Sequence, residues 1–367
     1  MKKQILLLVV FVCTTLSLAA QSIYSAPKLD YEDSWSVIVV PDTQGYAKNA
    51  YSQPICDMIM AWIASQADNL NIKMVLHTGD LVENDDRITC NGYSGDQTST
   101  QQWSFIADSF RKLDGVVPYL AATGNHDYTY VEADGAKRSR YKEFFYTEKN
   151  PLNRKMMCQY MTNAQGEATL ENAAFEMTAP DGKRYLFMQL EYGPRDTVLN
   201  WARRIADMEE YKYHRIVLLT HAYLHHNSER LQTAVDMSAF SPVIVKGRAE
   251  RTRPQLKDAN NGEEIFNKLV YPASNIELVV CGHIAGHGFR TDKNKVGRNV
   301  NQMLFDAQAI GGDNGGDGWI RILEFYPDGK TVKVKTFSPL FAVSPATQGM
   351  AWKHDSENEF TFNFSAD

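Results

Sequence analysis

Residues 35–44, WSVIVVPDTQ, decide the fold, because an apolar run passes there directly into polar residues. Residues 35–40 are apolar apart from one serine, and such a run predicts a strand that is buried on both faces. The next four residues place the carboxylate of Asp42 and the amide of Gln44 at the carboxyl end of that strand. In open α/β sheets, ligands bind at this edge.

The same arrangement recurs four times, each time with an apolar run that ends in residues able to bind a metal. The runs and the residues after them are IKMVLH (72–77) and Thr78 before GDLVEN (79–84), residues 116–121 before GNHD (124–127), RIVLLT (215–220) before His221, and IELVV (276–280) and Cys281 before Gly282 and His283. Between these runs, apolar residues recur at helical spacing over 55–67, 103–113 and 195–208. Strands that alternate with helices predict a central sheet that is covered on both faces.

The middle of the chain is less regular. Residues 131–172 are polar, aromatic and charged, with one predicted helix near 141–146, and we expect them to pass over the rim of the site. Residues 225–261 form a second long polar stretch, and a connection of this length is more often a functional loop than part of a core. We therefore expect these two stretches to determine the choice of substrate.

One catalytic domain over residues 35–340 is the simplest organisation, because no internal repeat or clear linker divides it. Residues 21–34 are then an N-terminal linker and residues 341–367 a C-terminal extension. Further strands are expected at 175–177 and 185–191, paired through the Pro-Asp-Gly turn at 180–182, and at 303–305, 319–325 and 331–336.

The first twenty residues have the composition of a signal peptide. Lys2 and Lys3 precede an apolar stretch over 5–18, and Ala19 and Ala20 are the small residues that cleavage requires. The alternative is a membrane anchor, but the stretch is short against the roughly 20 residues that span a bilayer. We therefore expect residues 1–20 to be removed and the protein to be secreted or periplasmic, with no membrane span left.

Charge and cysteine content exclude several other classes of protein. The net charge is −6 and no run of Lys or Arg lies outside the N-terminus, which argues against general nucleic-acid binding. The sequence contains no CxxC pair, which would indicate a cysteine zinc site, and no GxSxG motif, which would indicate a serine hydrolase. In an exported protein Cys56 and Cys90 could form a disulfide, although sequence alone does not establish the pairing, whereas Cys281 is expected to be a buried thiol.

Each polar segment by itself has an ordinary structural explanation. Asp42 alone would be a turn residue, and His221 or His283 alone would more often be a hydrogen-bonded core histidine than a ligand. The GNHD segment is more informative, because Asn-His-Asp after an apolar strand has little structural purpose. The occurrence of all five segments in this order indicates a metal site.

In this order the five segments resemble the calcineurin-like metallophosphoesterase family, and the resemblance extends from about residue 35 to residue 336. It implies an α/β fold in four layers, an α/β/β/α sandwich, with two divalent metal ions at the strand ends. The ions would be Mn, Fe, Zn or Co. By matching motif, Asp42 and Gln44 would bind the first ion, Asp80 would bridge both ions, and Asn125, His221 and His283 would bind the second.

The resemblance also implies a reaction. A water shared by two ions about 3.5–4 Å apart loses a proton, and the metal-bound hydroxide attacks phosphorus in a monoester or diester. His126 would be the catalytic residue that contacts the substrate and protonates the leaving oxygen. Glu83 would hold His126 in orientation, and Asp127 would support the same loop. The substrate would be a small phosphate ester or a phosphoprotein.

The chain departs from the family pattern at two positions, and both concern the first ion. Gln44 stands where the family usually has a histidine, and its amide oxygen favours a harder metal. Ala285 stands where a second histidine is usual, and His287 could replace it only if the glycines around it bulge. These departures leave an alternative open, in which the chain binds metal or ligand without turning substrate over.

Weaker predictions concern residues close to the five segments. The pocket could be lined by Tyr46, Tyr128, Tyr223 and His225, each of which could equally serve loop packing. Residues 306–318, DAQAIGGDNGGDG, are glycine-dense and lack the Gly-Lys-Ser/Thr ending of a phosphate-binding loop. They are expected to form a wide turn near the site, with a calcium-binding loop as the less favoured alternative.

Overall fold

The computed structural model describes residues 24–86, 94–131, 137–237, 241–245, 248–252 and 258–366. The predicted signal peptide at 1–20 and Cys90 lie outside these residues, and so does any Cys56–Cys90 pairing. Within the described part, Cys56, Cys158 and Cys281 are free thiols, and Cys281 is buried as expected. No helix among these residues is long and apolar enough to cross a membrane.

The strands have the following bounds: β1 Trp35–Val40, β2 Ile72–His77, β3 Tyr119–Ala121, β4 Thr129–Val131, β5 Lys137–Arg138, β6 Met157–Met161, β7 Asn172–Thr178, β8 Arg184–Gln189, β9 Arg215–Leu219, β10 Ser241–Val245, β11 Arg248–Thr252, β12 Ile276–Cys281, β13 Gly286–Lys293, β14 Asn299–Asp306, β15 Ile320–Phe325, β16 Thr331–Phe337, β17 Trp352–Lys353 and β18 Phe360–Asn363.

The helices have the following bounds: α1 Gln44–Ala47, α2 Gln53–Ser65, α3 Ser99–Phe110, α4 Tyr141–Phe144, α5 Pro151–Met156, α6 Asp196–Asp207, α7 Ala234–Met237, α8 Gly262–Ile265 and α9 Pro339–Ala342. Short 3₁₀ turns lie at Arg111–Leu113, Asn125–Asp127 and Gln348–Met350, and a π-helical turn lies at Phe266–Val270.

Two seven-stranded sheets organise the described part of the chain. The first has the order β17-β16-β15-β1-β2-β3, with β18 beside β16, and the second has the order β13-β14-β12-β9-β8-β7-β6. Strands β1, β2 and β3 are parallel to one another, and so are β8, β9, β12 and β14. The carboxyl ends of the strands that precede the predicted ligands therefore lie together at one edge of each sheet.

The side chains of β9 show that the second sheet is covered on both faces. Val217 and Leu219 belong to the core that the two sheets share, whereas Ile216 and Leu218 face a second core with α6 and residues 262–270. Helices α2 and α3 pack on the first sheet, where Trp62 lies 5.1 Å from Phe337 between ring centroids. Helix, sheet, sheet and helix are the four layers that the resemblance to the calcineurin-like family implies.

The sequence predicted the buried strands well and the polar strands poorly. Strands β1 and β2 have the predicted bounds, and β7 pairs with β8 as expected. The description of residues 131–172 and 225–261 as loops was wrong in part, since β6 extends the second sheet and β10 pairs with β11 in a small four-stranded sheet. Residues 248–252 carry three charges, so an apolar pattern could not reveal them. Residues 352–353 and 360–363 also pair with β16 of the first sheet.

Trp35 connects the two sheets across their shared core. Its ring is fully buried, stacks on Phe325 of the first sheet at 4.0 Å and meets the edge of Tyr185 of the second sheet at 5.1 Å. Truncation of so large a side chain removes apolar burial and leaves a cavity. We expect Trp35→Ala to lower the free energy of unfolding by about 3–5 kcal/mol, measured by urea denaturation.

The matched control is Tyr213→Ala, because the Tyr213 side chain is 75% exposed. Surface substitutions of this kind usually change stability by no more than about 0.5 kcal/mol. A loss below about 1 kcal/mol for Trp35→Ala would contradict the role of this ring in joining the sheets.

Candidate metal centre

Loops from both sheets meet at one buried site. The first sheet contributes Asp42 and Gln44 after β1, Asp80 after β2, and Asn125 and His126 after β3; the second sheet contributes His221 after β9 and His283 after β12. All seven side chains are buried, and the most exposed of them, His126, is 8% accessible. The structure therefore brings together every residue that the sequence predicted as a metal ligand or catalytic group.

Four ligand atoms converge at the centre of this site. The Nε2 atom of His221 lies 3.1 Å from Asn125 Oδ1 and 3.4 Å from Asp80 Oδ2. The Nδ1 atom of His283 lies 2.8 Å from Asn125 Oδ1 and 3.2 Å from His221 Nε2. Ligand atoms around a tetrahedral ion with bonds of 2.0–2.1 Å are separated by about 3.3 Å. The spacing of these atoms therefore fits one divalent ion.

The outer nitrogens of the two imidazoles bind main-chain carbonyls. Nδ1 of His221 lies 2.9 Å from the carbonyl of Thr78, and Nε2 of His283 lies 2.8 Å from the carbonyl of Asp236. A carbonyl only accepts, so these ring nitrogens carry the protons and the inner nitrogens present lone pairs. Such hydrogen bonds are typical supports of metal-binding histidines. The chemistry of the donor set thus fits a cation.

Charge at the site leads to the same conclusion. Burial acts to lower the pKa of His221, but the carboxylates of Asp80 and Asp42 raise it to about 10. Burial and the neighbouring His221 lower the pKa of His283 to about 4. The acidic groups therefore demand a positive charge inside the cluster, and a proton on His221 or a metal ion can provide it.

The backbone takes unusual conformations to bring the ligands this close. Asp80 and His283 have φ angles of 51° and 76°, which side-chain-bearing residues seldom adopt. A Cβ atom on Gly124 would lie 2.1 Å from Asp80 Oδ1, and one on Gly282 would lie 2.1 Å from Asp42 Oδ1. Glycine is therefore required beside these ligands, because any side chain would displace a carboxylate.

Asp42 and Gln44 lie beside this cluster, where the first ion is expected. Asp42 accepts hydrogen bonds from the Thr78 hydroxyl at 2.6 Å and from the main-chain N–H of His283 at 2.9 Å. The Gln44 amide donates to Asp80 Oδ2 at 3.2 Å, while its Oε1 is buried without a hydrogen-bond partner among the described residues. An orphaned amide oxygen beside two carboxylates fits a hard cation.

His126 is held from two sides. Its main-chain N–H donates to Asp80 Oδ1 at 2.9 Å, and its ring Nδ1 donates to the main-chain carbonyl of Glu83 at 2.9 Å. The Glu83 carboxylate lies farther away, at 3.9 Å, and also pairs with Lys48 at 3.4 Å. Glu83 thus contacts His126, as the resemblance implies, but the main-chain carbonyl of Glu83 lies closer to the imidazole than its carboxylate does.

Asp127 connects two of the loops. Its carboxylate accepts the N–H groups of Leu81 at 3.1 Å, Val82 at 3.0 Å and Gly124 at 2.8 Å. Burial and the charge of Asp80 nevertheless raise the pKa of Asp127 to about 8. These contacts fix the loop of Asp80 to the GNHD segment, so Asp127 acts by holding the two loops together.

Sequence reasoning missed several groups that support the site. The Thr78 hydroxyl and carbonyl contact Asp42 and His221, as given above. The ring of Tyr192 lies 5.8 Å from that of His221 and 6.1 Å from that of His283, and its hydroxyl donates to the carbonyl of Met237. No short motif marks these residues, because each acts through the folded geometry alone.

Asp306, the last residue of β14, is the most important omission. It is fully buried, and burial together with the charge of Asp80 raises its pKa to about 6. Burial and the charge of Asp306 in turn raise the pKa of Asp42 well above its usual range. A signal was present in the sequence, since Asp306 also follows an apolar strand, but the glycine-dense residues after it suggested a turn.

Several weaker predictions are not supported. His287 lies on β13 and its Nε2 bonds Glu357 at 2.6 Å, while Ala285 is exposed. The tyrosine hydroxyls are used inside the core: Tyr46 accepts from the Gly318 N–H, Tyr128 donates to Glu171, and Tyr223 donates to Gln302. These tyrosines are therefore packing residues, not the lining of an open pocket.

The glycine-dense loop packs on α1. A Cβ atom on Gly45 would lie 2.9 Å from the Cα atom of Gly315, and the Tyr51 hydroxyl donates to the Asp313 carbonyl at 2.7 Å. The loop is thus a wide turn beside Gln44, as the sequence predicted.

Known proteins resemble this chain in sequence and in fold. Uncharacterized protein YvnB of Bacillus subtilis (strain 168) is 27% identical over 316 residues, which are 84% of this chain and 20% of that protein, so the chain spans about a fifth of its relative. A dimetal phosphatase from Danio rerio has 11% identity and a TM-score of 0.47, covering 90% of this chain and 99% of that one. A 5′-nucleotidase from Candida albicans SC5314 has 12% identity and a TM-score of 0.42, and the match covers 93% of this chain and 54% of that one.

The family model described as calcineurin-like phosphoesterase matches residues 36–287, which are more than half of the chain and include all five ligand segments. The protein therefore belongs to the calcineurin-like phosphoesterase family.

Proposed function

We propose that the protein is an exported, metal-dependent phosphoesterase that hydrolyses a phosphomonoester or phosphodiester. One observation carries this proposal. Asn125 Oδ1, Asp80 Oδ2 and His283 Nδ1 lie 3.1–3.4 Å from His221 Nε2, and the main-chain N–H of His126 donates to Asp80. A metal centre with a proton donor beside it is the arrangement that hydrolysis of a phosphate ester requires.

The metal ions would supply the nucleophile, by lowering the pKa of a shared water, and would neutralise charge on the phosphoryl oxygens. Asp80, Asn125, His221 and His283 would hold one ion. Asp80, Asp42 and Gln44 would contribute to the other. The buried walls exclude bulk water from the ligands, which strengthens every electrostatic interaction among them.

His126 has the geometry of a general acid. Because Nδ1 donates to the Glu83 carbonyl, Nε2 remains for the leaving oxygen of the substrate. The Glu83 carboxylate at 3.9 Å stabilises the protonated ring. The hydrogen bond from the His126 N–H to Asp80 fixes the distance between the acid and the metal centre. The chain thus orients one proton donor relative to the bridging ligand.

Removal and return of metal test the proposed centre. After removal of metal with a chelator, we expect hydrolysis of p-nitrophenyl phosphate or bis-p-nitrophenyl phosphate to return with Mn²⁺, Zn²⁺, Co²⁺ or Fe²⁺. Asp80→Asn retains the shape of the side chain but loses the charge that two ions would share. We expect it to reduce kcat by more than the ~100-fold that loss of an outer metal-ligand partner causes.

The control for this experiment is Asp108→Asn, because the Asp108 side chain is 64% exposed. Circular dichroism and thermal unfolding should show both variants folded. An Asp80→Asn variant with full activity would exclude the proposed centre. If the unaltered protein binds Mn²⁺ but cleaves no ester with any of the four metals, it is a binding protein of the same fold.

The second prediction concerns His126. A general acid matters most when the leaving group is a poor one, so His126→Gln should slow hydrolysis of an alkyl phosphate by about 10²–10⁴-fold. Cleavage of a p-nitrophenyl ester should fall much less, because p-nitrophenolate leaves without protonation. His354→Gln is the control, since its side chain is 71% exposed. Equal losses for both esters would show that His126 positions the substrate and does not protonate it.

Export is the remaining part of the proposal, and residues 1–20 support it through their two lysines, apolar stretch and terminal alanines. We expect the mature chain to begin at Gln21 and to be recovered outside the cytoplasm. Intact-mass spectrometry of the protein from cell fractions measures both. Full-length protein that stays in the cytoplasm would contradict export and leave the enzymatic part of the proposal intact.

A further inference from the structure

Asp306 reaches the same sheet edge as the predicted ligands. Strands β12 and β14 are parallel neighbours, with Cys281 opposite Leu304. The residues that follow, Gly282 and His283 on one strand and Phe305 and Asp306 on the other, therefore lie side by side. The chain then returns as β13, in which Gly286 pairs with Asp306. Asp306 is thus held close to His283, the last of the predicted ligands.

The Asp306 carboxylate is buried and interacts electrostatically with Asp42 and Asp80. At most 2% of the surface of Asp42, Asp80 or Asp306 is accessible to solvent. His221 pairs with the first two, with its nitrogens 4.0 Å from Asp42 Oδ1 and 3.4 Å from Asp80 Oδ2. Like charges that are buried together destabilise one another unless one of them is protonated or a cation lies among them. A single imidazole cannot compensate three carboxylates.

The amide of Gln44 provides independent support for a cation here. It is buried, its Nε2 donates to Asp80, and its Oε1 has no hydrogen-bond partner among the residues described. A buried carbonyl oxygen without a partner costs free energy, and a bound cation removes that cost. The oxygen of Gln44 and the carboxylates of Asp42, Asp80 and Asp306 are the ligand types that Mn²⁺ and Mg²⁺ favour.

We propose that Asp306 is a ligand of the first metal ion and completes an all-oxygen site with Asp42, Gln44 and Asp80. Asp306, which lies on β14, would replace the histidine that the family usually has at the position of Ala285. Gln308 orients the carboxylate, since its main-chain N–H donates to Oδ1 at 2.9 Å and its side-chain amide donates to Oδ2 at 2.8 Å. Each carboxylate oxygen keeps a second lone pair for the metal.

The glycine-dense loop at 306–318 packs against the residues on both sides of this site. Gly316 leaves room for only a hydrogen beside the Ala307 carbonyl, since a Cβ there would lie 2.4 Å from that oxygen. The loop therefore folds back on the residue after Asp306 and packs on α1, which carries Gln44. Two ligands of one ion, Gln44 and Asp306, are thereby fixed by the same loop.

The inference rests on the two-ion centre of the proposed function, but its test needs no substrate. Titration calorimetry of the metal-free full chain with Mn²⁺ should give two ions for the unaltered protein. Asp306→Asn should keep one ion at unchanged affinity and weaken the other by more than the ~100-fold that loss of an outer partner causes. Gln308→Ala should weaken the same ion by about 10–100-fold.

The matched control is Glu171→Gln, which also neutralises a buried carboxylate. Glu171 accepts the Tyr128 hydroxyl at 2.5 Å and belongs to no ligand segment. This variant should bind two ions as the unaltered chain does. Two ions of unchanged affinity in Asp306→Asn would overturn the inference, and so would fewer than two ions in the unaltered protein. Two ions without any phosphoesterase activity would overturn only the proposed function.

A second measurement does not depend on the folding of a variant. Crystals of the unaltered protein grown with Mn²⁺ should give two anomalous peaks at the Mn absorption edge. One peak should lie within about 2.5 Å of an Asp306 carboxylate oxygen, the upper range for oxygen ligands of divalent cations. Two peaks with neither at that distance, or one peak alone, would overturn the assignment of Asp306.

Discussion

The hydrogen bonds that His221 and His283 donate to main-chain carbonyls are the constraint on which the rest of the site depends. Each bond keeps a proton on the outer nitrogen, so that the inner nitrogens, 3.2 Å apart, are the atoms positioned to bind a cation. The acceptor for His221 is the carbonyl of Thr78, which follows a strand of the other sheet. The protonation state of a ligand is thus linked to the packing of the two sheets.

The turns around these residues leave little space for other side chains. Asp80 and His283 adopt positive φ angles, and Gly124 and Gly282 leave space for the carboxylates beside them. Such backbone conformations cost about 1–3 kcal/mol each and persist only where the surrounding structure enforces them. Here the enforcement comes from the two-sided core under each sheet, in which the strand residues before every ligand are fully buried. Rigid strands hold the strained turns, and the turns hold the ligands.

The sequence predicted most of the fold and the residues that meet at the candidate site, because both depend on one repeated pattern. An apolar strand followed by an acid, an amide or an imidazole marks Asp42, Gln44, Asp80, Asn125, His221 and His283 as candidate ligands. The same pattern at β14 was obscured by the glycines after Asp306. Polar strands such as Arg248–Thr252 were missed because they have no apolar period. The support of His126 by the Glu83 carbonyl depends on main-chain geometry, and residue types do not encode it.

In the proposed centre the two halves would differ in hardness, and this changes the meaning of the Gln44 and Ala285 departures. Two imidazole nitrogens suit Zn or Fe on one side, whereas amide and carboxylate oxygens on the other suit Mn or Mg. With Asp306 in the set, Gln44 is a change of ligand and not the loss of one. An all-oxygen site holds its ion mainly through charge, and three buried carboxylates supply that charge. Such an ion would also stabilise the fold, since it would remove the repulsion among these carboxylates, and the chemistry and stability of this edge of the sheets would then depend on one cation.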